Sequence, residues 1–229
     1  MHIPDGFLDH KTSAGLLGAA AGIMGFCFAK VAATVTSVVP QRVLSAAGNA
    51  VGNMQMSGRR ALNDVGEAKL RAMAATAACI FAAQTFNFPI NSGTSGHLLG
   101  GVFATVLLGP FEGAAVITAV LAVQAVFFGD GGMLALGANI INMAAVGALG
   151  GYGIYALLNR FLSKLSSAAI AAWLSVVLAA AVCSLEIGYS GTIAFSRILP
   201  AMLKTHCSIG AVEALITVFA LKYYERNPL

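Results

Sequence analysis

SAAIAAWLSVVLAAAVCSLE, residues 167–186, carries one charged side chain, Glu186, at its end. The rest is mostly alanine, leucine and valine, with no glycine or proline to interrupt a helix. A helix rises about 1.5 Å per residue, so about 20 such residues match a hydrocarbon core roughly 30 Å thick. The stretch therefore reads as a transmembrane helix. Similar apolar runs lie at about 13–36, 70–88, 97–109, 114–128, 133–158 and 206–223. Together they predict an all-α integral membrane protein of about seven spans, in one domain covering 1–229.

Composition leads to the same class. Hydrophobic residues are 58% of the 229 positions, charged residues 10%, and mean hydropathy is +0.83; a soluble domain carries about 25% charged residues. Such a chain cannot cover itself with water-facing groups. The net charge of +4 comes from basic residues dispersed among the spans, with no basic stripe interleaved with aromatics, so nucleic acid is excluded as a partner. Cys27, Cys79, Cys183 and Cys207 share no C-x-x-C spacing and read as small packing residues. No positively charged start or small-residue cleavage site opens the chain, so it is expected to begin where the gene does.

Between the first span, an extra N-terminal helix at about 13–36, and the bundle at about 69–229, lies a polar segment at about 37–68. Its glycines weaken any helix in it. Gly109-Pro110 and Gly129-Asp130-Gly131-Gly132 read as turns, and a loop holding Arg197, Pro200 and Lys204 is expected before the last span. Lysine and arginine accumulate on the cytoplasmic side of membranes. With the N-terminus outside and the C-terminus inside, Lys30, Arg42, Arg59, Arg60, Lys69, Arg71, Arg160, Lys164, Lys222 and Arg226 fall inside, against Lys11, Arg197 and Lys204 outside. The reverse topology inverts the rule. Ala14, Gly18 and Gly22, and Ala74, Ala78 and Ala82, form small-residue stripes suited to close helix packing, within the bundle or against another membrane subunit.

The chain opens Met1-His2-Ile3-Pro4-Asp5-Gly6. The Met1 amine, the deprotonated amide nitrogen of His2 and the His2 ring nitrogen nearer the backbone close adjacent five- and six-membered chelate rings around one metal. They fill three corners of a square plane, a nitrogen geometry characteristic of nickel(II) or copper(II). His97, after the glycine-rich loop Asn91-Ser92-Gly93-Thr94-Ser95-Gly96, is the candidate fourth ligand. Asn139, Asn142, Gln84 and Asn87 are candidates to orient His97 or the N-terminal segment, because metal-bound histidines usually donate their second ring nitrogen to a partner. Asp130 reads as a turn residue, with a place near the metal entry as the alternative, His10 as exposed loop and His206 as a site neighbour. Glu213, a carboxylate in an apolar span, faces a partner or cavity in a mainly structural role.

MHIPDGFLD at the start, FNFPINSGTSGHLLGG around His97, FFGDGGMLALGANIINM and GAVEALIT resemble the M subunit of energy-coupling-factor nickel and cobalt transporters, the NikM/CbiM family. The resemblance covers nearly the whole chain apart from about 37–68. It implies an N-terminal helix that threads the extreme N-terminus into the bundle, and metal binding by Met1, His2 and His97. It also implies partners: two cytoplasmic ATPase subunits, a transmembrane coupling subunit and often a small additional membrane subunit. No Walker A sequence is present, so ATP hydrolysis by that route must come from those partners. The substrate would be Ni2+, with Co2+ the alternative, captured at the outer face of the cell inner (plasma) membrane by a multi-pass subunit of an ABC-type uptake transporter. A self-sufficient secondary metal permease is the alternative; it needs ionisable residues near the midplane, and Glu213 is the one good candidate. An intramembrane metalloenzyme would need a catalytic base and an open coordination position, as in H-E-x-x-H, which is absent.

Overall fold

The structure, a computed structural model, describes residues 2–41, 57–86, 88–90 and 94–227. An extended N-terminal segment enters α1 (His10–Val35), and a two-stranded antiparallel ribbon, β1 (Thr36–Gln41) and β2 (Ser57–Leu62), follows. Thr36 pairs with Leu62 and Gln41 with Ser57. After α2 (Asp64–Gln84), the short strands β3 (Phe88–Ile90) and β4 (Thr94–Gly96) lead into α3 (Gly101–Leu108) and α4 (Pro110–Val123). A π-helical stretch, Gln124–Phe128, extends α4. Next come α5 (Leu136–Ile140), a second π stretch (Ile141–Gly150) and α6 (Gly151–Leu158), a continuous rod; α7 (Lys164–Tyr189) and α8 (Phe195–Arg226) complete the chain.

Among the described residues five helices are long and apolar enough to cross a membrane: α1, Pro110–Phe128, Leu136–Leu158, α7 and α8. The other two expected spans differ. Helix α2 has 21 residues but carries Asp64, Glu67, Lys69 and Arg71 in its first two turns. Only Gly101–Leu108 of the expected 97–109 span is helical, about 12 Å at 1.5 Å per residue. His97 to Gly100 instead forms irregular backbone, and Gly100, at φ 73°, adopts the left-handed conformation that a helix cannot contain. The expected loop around Arg197, Pro200 and Lys204 is also corrected. All three lie in the first turns of α8, which starts at Phe195. A proline inside a membrane helix is tolerated where neighbouring groups satisfy the freed backbone.

Terminal chemistry explains where the helices begin. Asp9 caps α1 by accepting from the Lys11 and Thr12 amides at 2.9 and 3.1 Å, and the Thr12 hydroxyl helps hold its carboxyl down at about 2. Asn63 caps α2, Ser163 caps α7, and Pro110 takes the first turn of α4, where its missing N–H is no loss. The core lies where α4, the rod and α7 pack with α3, and α7 runs along α8. Buried residues of α1 recur at Ala20, Met24, Cys27, Val31 and Val35, one narrow stripe, so most of that helix faces outward. Ala14, Gly18, Gly22, Ala74, Ala78 and Ala82 are all exposed. Both small-residue stripes therefore face away from the bundle and do not pack within it.

The N-terminal segment, the His97 segment, the Asp130 turn and the α7–α8 loop gather at one end. Asp9 and Phe7 bond to Ser190 and Thr192 there. The start of α2 meets the start of α4 at the opposite end, where Lys69 pairs with the buried Glu112; Lys164 pairs with Glu225 at 2.7 Å on that side. Of the 37–68 segment, the ribbon and the start of α2 are described; the stretch around Val43 to Met56 lies outside the described residues.

Candidate metal centre

The N-terminal segment is fixed by its own residue types. Asp5 accepts hydrogen bonds from the backbone N–H groups of Met133, Leu134 and Ala135 at 3.2, 2.8 and 3.3 Å, capping the start of the rod. Unpaired N–H groups and the positive end of the helix dipole both favour a carboxylate there. Two residues earlier Ile3 is fully buried. Asn139 holds it from both sides, accepting from the Ile3 N–H at 2.8 Å and donating to its carbonyl at 3.2 Å. The Gly132 N–H donates to the same carbonyl at 3.1 Å. Gly131, at φ 76°, lets the turn close over the ring: a Cβ there would stand 2.9 Å from Asn139 Nδ2 and 3.2 Å from His2 Cγ.

His2 is thereby placed against His97, ring centroids 4.4 Å apart and planes tilted by 48°. Both residues are buried, with His97 completely inaccessible. His97 thus lies in the packed interior. Asp130 lies in the turn that the sequence predicts and also reaches the candidate metal centre, its Oδ1 2.8 Å from His2 Nδ1. That hydrogen bond lowers the Asp130 pKa, so a carboxylate accepts and the hydrogen resides on Nδ1. In the same way His97 Nδ1 faces the Leu98 carbonyl at 2.7 Å, and a carbonyl only accepts. Each ring therefore keeps its hydrogen on Nδ1 and a bare lone pair on Nε2, and both Nε2 atoms are buried without a partner. Burial holds His2 below its usual 6.5, opposed by Asp130, and holds His97 well below it. Two neutral imidazoles with free lone pairs are the form in which histidine binds a metal.

Three other polar side chains hold the His97 segment. Glu213 of α8 accepts from the Leu99 N–H at Oε2, 2.9 Å, and from the Gly100 N–H at Oε1, 2.6 Å. Gln84 donates to the Leu99 carbonyl at 2.8 Å and accepts from Gln124 at 3.0 Å. Irregular backbone inside a membrane protein is tolerated only where such groups satisfy it. Of the sequence candidates, Gln84 and Asn139 do the orienting work and Asp130 joins them. Asn142 bonds instead to Glu186 at 2.6 Å. His206 is buried, its Nδ1 on the Met202 carbonyl at 2.8 Å. His10 is exposed in the first turn of α1. Met1 and Asn87 lie outside the described residues. Gln124, not singled out from the sequence, had one signal there: an amide within an apolar run.

Among the described residues no three histidine, cysteine, aspartate or glutamate side chains converge on one point as metal ligands. A site built on His2 and His97 needs further donors from elsewhere, and main-chain nitrogen is the kind at hand.

Comparison with known proteins supplies the family. Residues 2–228 match the model for CbiM, the cobalt uptake substrate-specific transmembrane region. The chain belongs to the CbiM family. It is a multi-pass membrane protein of a family described as the substrate-specific transmembrane region of cobalt uptake, and its relatives are named as nickel or cobalt transport proteins. A metal transport protein of Haloquadratum walsbyi is 37% identical over 225 residues, 97% of this chain and 89% of that protein. The fused nickel transport protein NikMN of Rhodobacter capsulatus is 31% identical over 99% of this chain and 62% of its own length. The corresponding fused protein of Archaeoglobus fulgidus is 44% identical over 64% of this chain and 50% of its own length, so this chain matches only part of the fused proteins. A crystal structure of a transition metal transporter superimposes with a TM-score of 0.81 at 30% identity, over 99% of this chain and 93% of that one.

Proposed function

We propose that this CbiM-family chain is the metal-capturing subunit of an energy-coupling-factor, ABC-type uptake transporter, with Ni2+ as substrate and Met1, His2 and His97 as its ligands. The observation that carries the reading is the burial of two imidazoles side by side, His2 and His97, at centroids 4.4 Å apart, with His97 Nε2 left without a partner. Two imidazoles do not fill a coordination sphere, and the amine and first amide of the chain are the donors adjacent to His2. A chelate through His2 Nδ1 needs the other tautomer of that ring, its hydrogen moved from Nδ1 to Nε2, and the Asp130 carboxylate beside Nδ1 would then offset the metal's charge. Square-planar nitrogen favours nickel, and the Irving–Williams order places nickel above cobalt.

The topology that fits this role has seven spans, counting α2 and the α3 segment, with the N-terminus outside and the basic ends of α2, α7 and α8 inside. The exposed Ala74, Ala78 and Ala82 stripe is suited to a transmembrane coupling subunit, and the two ATPase subunits would supply the driving force. Metal analysis of the purified chain under Ni2+ and Co2+ competition tests the substrate. His97→Gln, checked for folding because the residue is buried, should lower nickel affinity sharply; unchanged affinity in a folded variant removes His97 from the ligand set. Transport by reconstituted chain alone at the full rate would favour a secondary permease.

A further inference from the structure

Asn142 and Glu186 face each other across the packing of the second π stretch on α7, and neither is hydrogen-bonded to His2 or His97. Asn142 is completely buried and Glu186 is 8% exposed. Asn142 Nδ2 donates to Glu186 Oε2 at 2.6 Å. The two atoms left over, Asn142 Oδ1 and Glu186 Oε1, are both buried without a partner. Both are acceptors when the carboxyl is ionised, so as a carboxylate–amide pair the arrangement strands two buried oxygens and a charge. Rotating the amide leaves the count unchanged, since oxygen would then oppose oxygen at the contact now made by nitrogen. One additional hydrogen completes the set. A carboxylic acid and a primary amide form a planar eight-membered ring with two antiparallel hydrogen bonds, and burial favours such a neutral ring over an unpaired charge.

We propose that Glu186 and Asn142 form a proton-binding site, in which the protonated carboxyl donates from Oε1 to Asn142 Oδ1 while Oε2 accepts from Asn142 Nδ2. The ring ties α7 to the rod one helical turn from Asn139, the residue that holds Ile3 and with it the N-terminal segment. Proton occupancy at Glu186 therefore sets how firmly the rod beneath the N-terminal segment is joined to α7. Groups that bear on this site are few. Asp9 and Lys11 of α1 and Tyr189 of α7 line a cavity of about 770 Å³ that also borders Glu186. Cys183 lies one turn away on α7. Helix α3 and the π stretch carry no titratable side chain, and α6 carries only Tyr152 and Tyr155, toward the other end. From α8, packed along α7, His206 is the buried titratable group on this half, and Arg197 and Lys204 are exposed.

Infrared difference spectroscopy on the whole purified chain, wild type against Glu186→Gln, tests the site. The wild type should show a protonated-carboxyl carbonyl band that shifts in D2O and is missing from the variant. Glutamine can close the same ring with its own oxygen and amide, so E186Q should keep the melting temperature and nickel affinity of the wild type. Glu186→Ala, which leaves Asn142 unpaired, should melt lower. Raising the pH through the band's titration should lower the wild-type melting temperature relative to E186Q. The proposal is overturned if the band is absent, or if E186Q melts as low as E186A, which would mean that the anion is the required form. It is also overturned if E186Q loses one equivalent of bound nickel, which would make the oxygens metal ligands.

Discussion

Replacing Glu213 by glutamine should destabilise the chain and weaken its hold on metal, although shape is conserved. Both carboxylate oxygens accept from main-chain N–H groups, Leu99 at 2.9 Å and Gly100 at 2.6 Å. Glutamine offers one oxygen, and its amide hydrogens point at the other N–H. One buried donor is then stranded, at a cost of about 1–3 kcal/mol. A cavity of about 160 Å³ borders Glu213 and Gly100, so a stranded N–H that recruits water there costs the lower end of that range and one left dry the upper end; about 3 kcal/mol is roughly a hundredfold in an equilibrium constant. The glutamate to alanine change strands both donors and should cost more than glutamine. Thermal unfolding in detergent reads the stability term, and calorimetric titration with Ni2+ reads the affinity term. The affinity falls to the extent that His97, two residues before Leu99, loses its place. If E213Q matches wild type in both measurements, the clamp is not a determinant of the segment. A lower melting temperature with unchanged affinity would show that it supports the fold without positioning His97.

Acetylating the Met1 amine should remove one nitrogen donor in unchanged register, so nickel affinity and the visible band of square-planar nickel should both be lost; retention of both would refute the N-terminal chelate. Ala78→Leu on the exposed stripe of α2 should leave nickel binding intact and abolish transport in the reconstituted complex, and a loss of both would show instead that the position supports the fold. Stability should fall as pH drops below 6.5. An unfolded chain takes up a proton at His97 near that value while the folded, buried ring stays neutral to well below it, so the unfolded state binds more protons. Melting temperature against pH should therefore slope less steeply in His97→Gln than in wild type, and equal slopes would show that His97 does not contribute.

The fold class was legible in the sequence because a membrane helix has to be apolar along its whole length. Lys164–Tyr189 needs no knowledge of its neighbours to be recognised. Helix α3 was not legible in that way, because a run of apolar residues does not reveal whether the backbone is helical from its first residue. The left-handed Gly100 ends that possibility. Similarly, Pro200 suggested a loop, and only the packing of α8 on α7 shows that the helix continues past it. His2 and His97 stood out as chemistry-bearing residues near turns. Asp130, Gln124 and the backbone contacts of Glu213 did not, because each acts through a partner between 40 and 128 positions away.

The polar residues that seem misplaced in an apolar chain have one physical origin. His97 is carried on non-helical backbone that packs inside the bundle, and non-helical backbone leaves N–H and C=O groups without internal partners. Glu213 takes two of those N–H groups, Gln84 takes the Leu99 carbonyl, and Gln124 in turn bonds to Gln84. The N-terminal segment follows the same rule, with Asn139 bonding both main-chain groups of Ile3 and Asp5 capping the rod. A helix could not bring its own backbone this close to a histidine ring, and an exposed loop could not exclude water from it. Irregular backbone enclosed by amide and carboxylate side chains does both, which is why the buried imidazoles and these polar groups occur together at one end of the bundle.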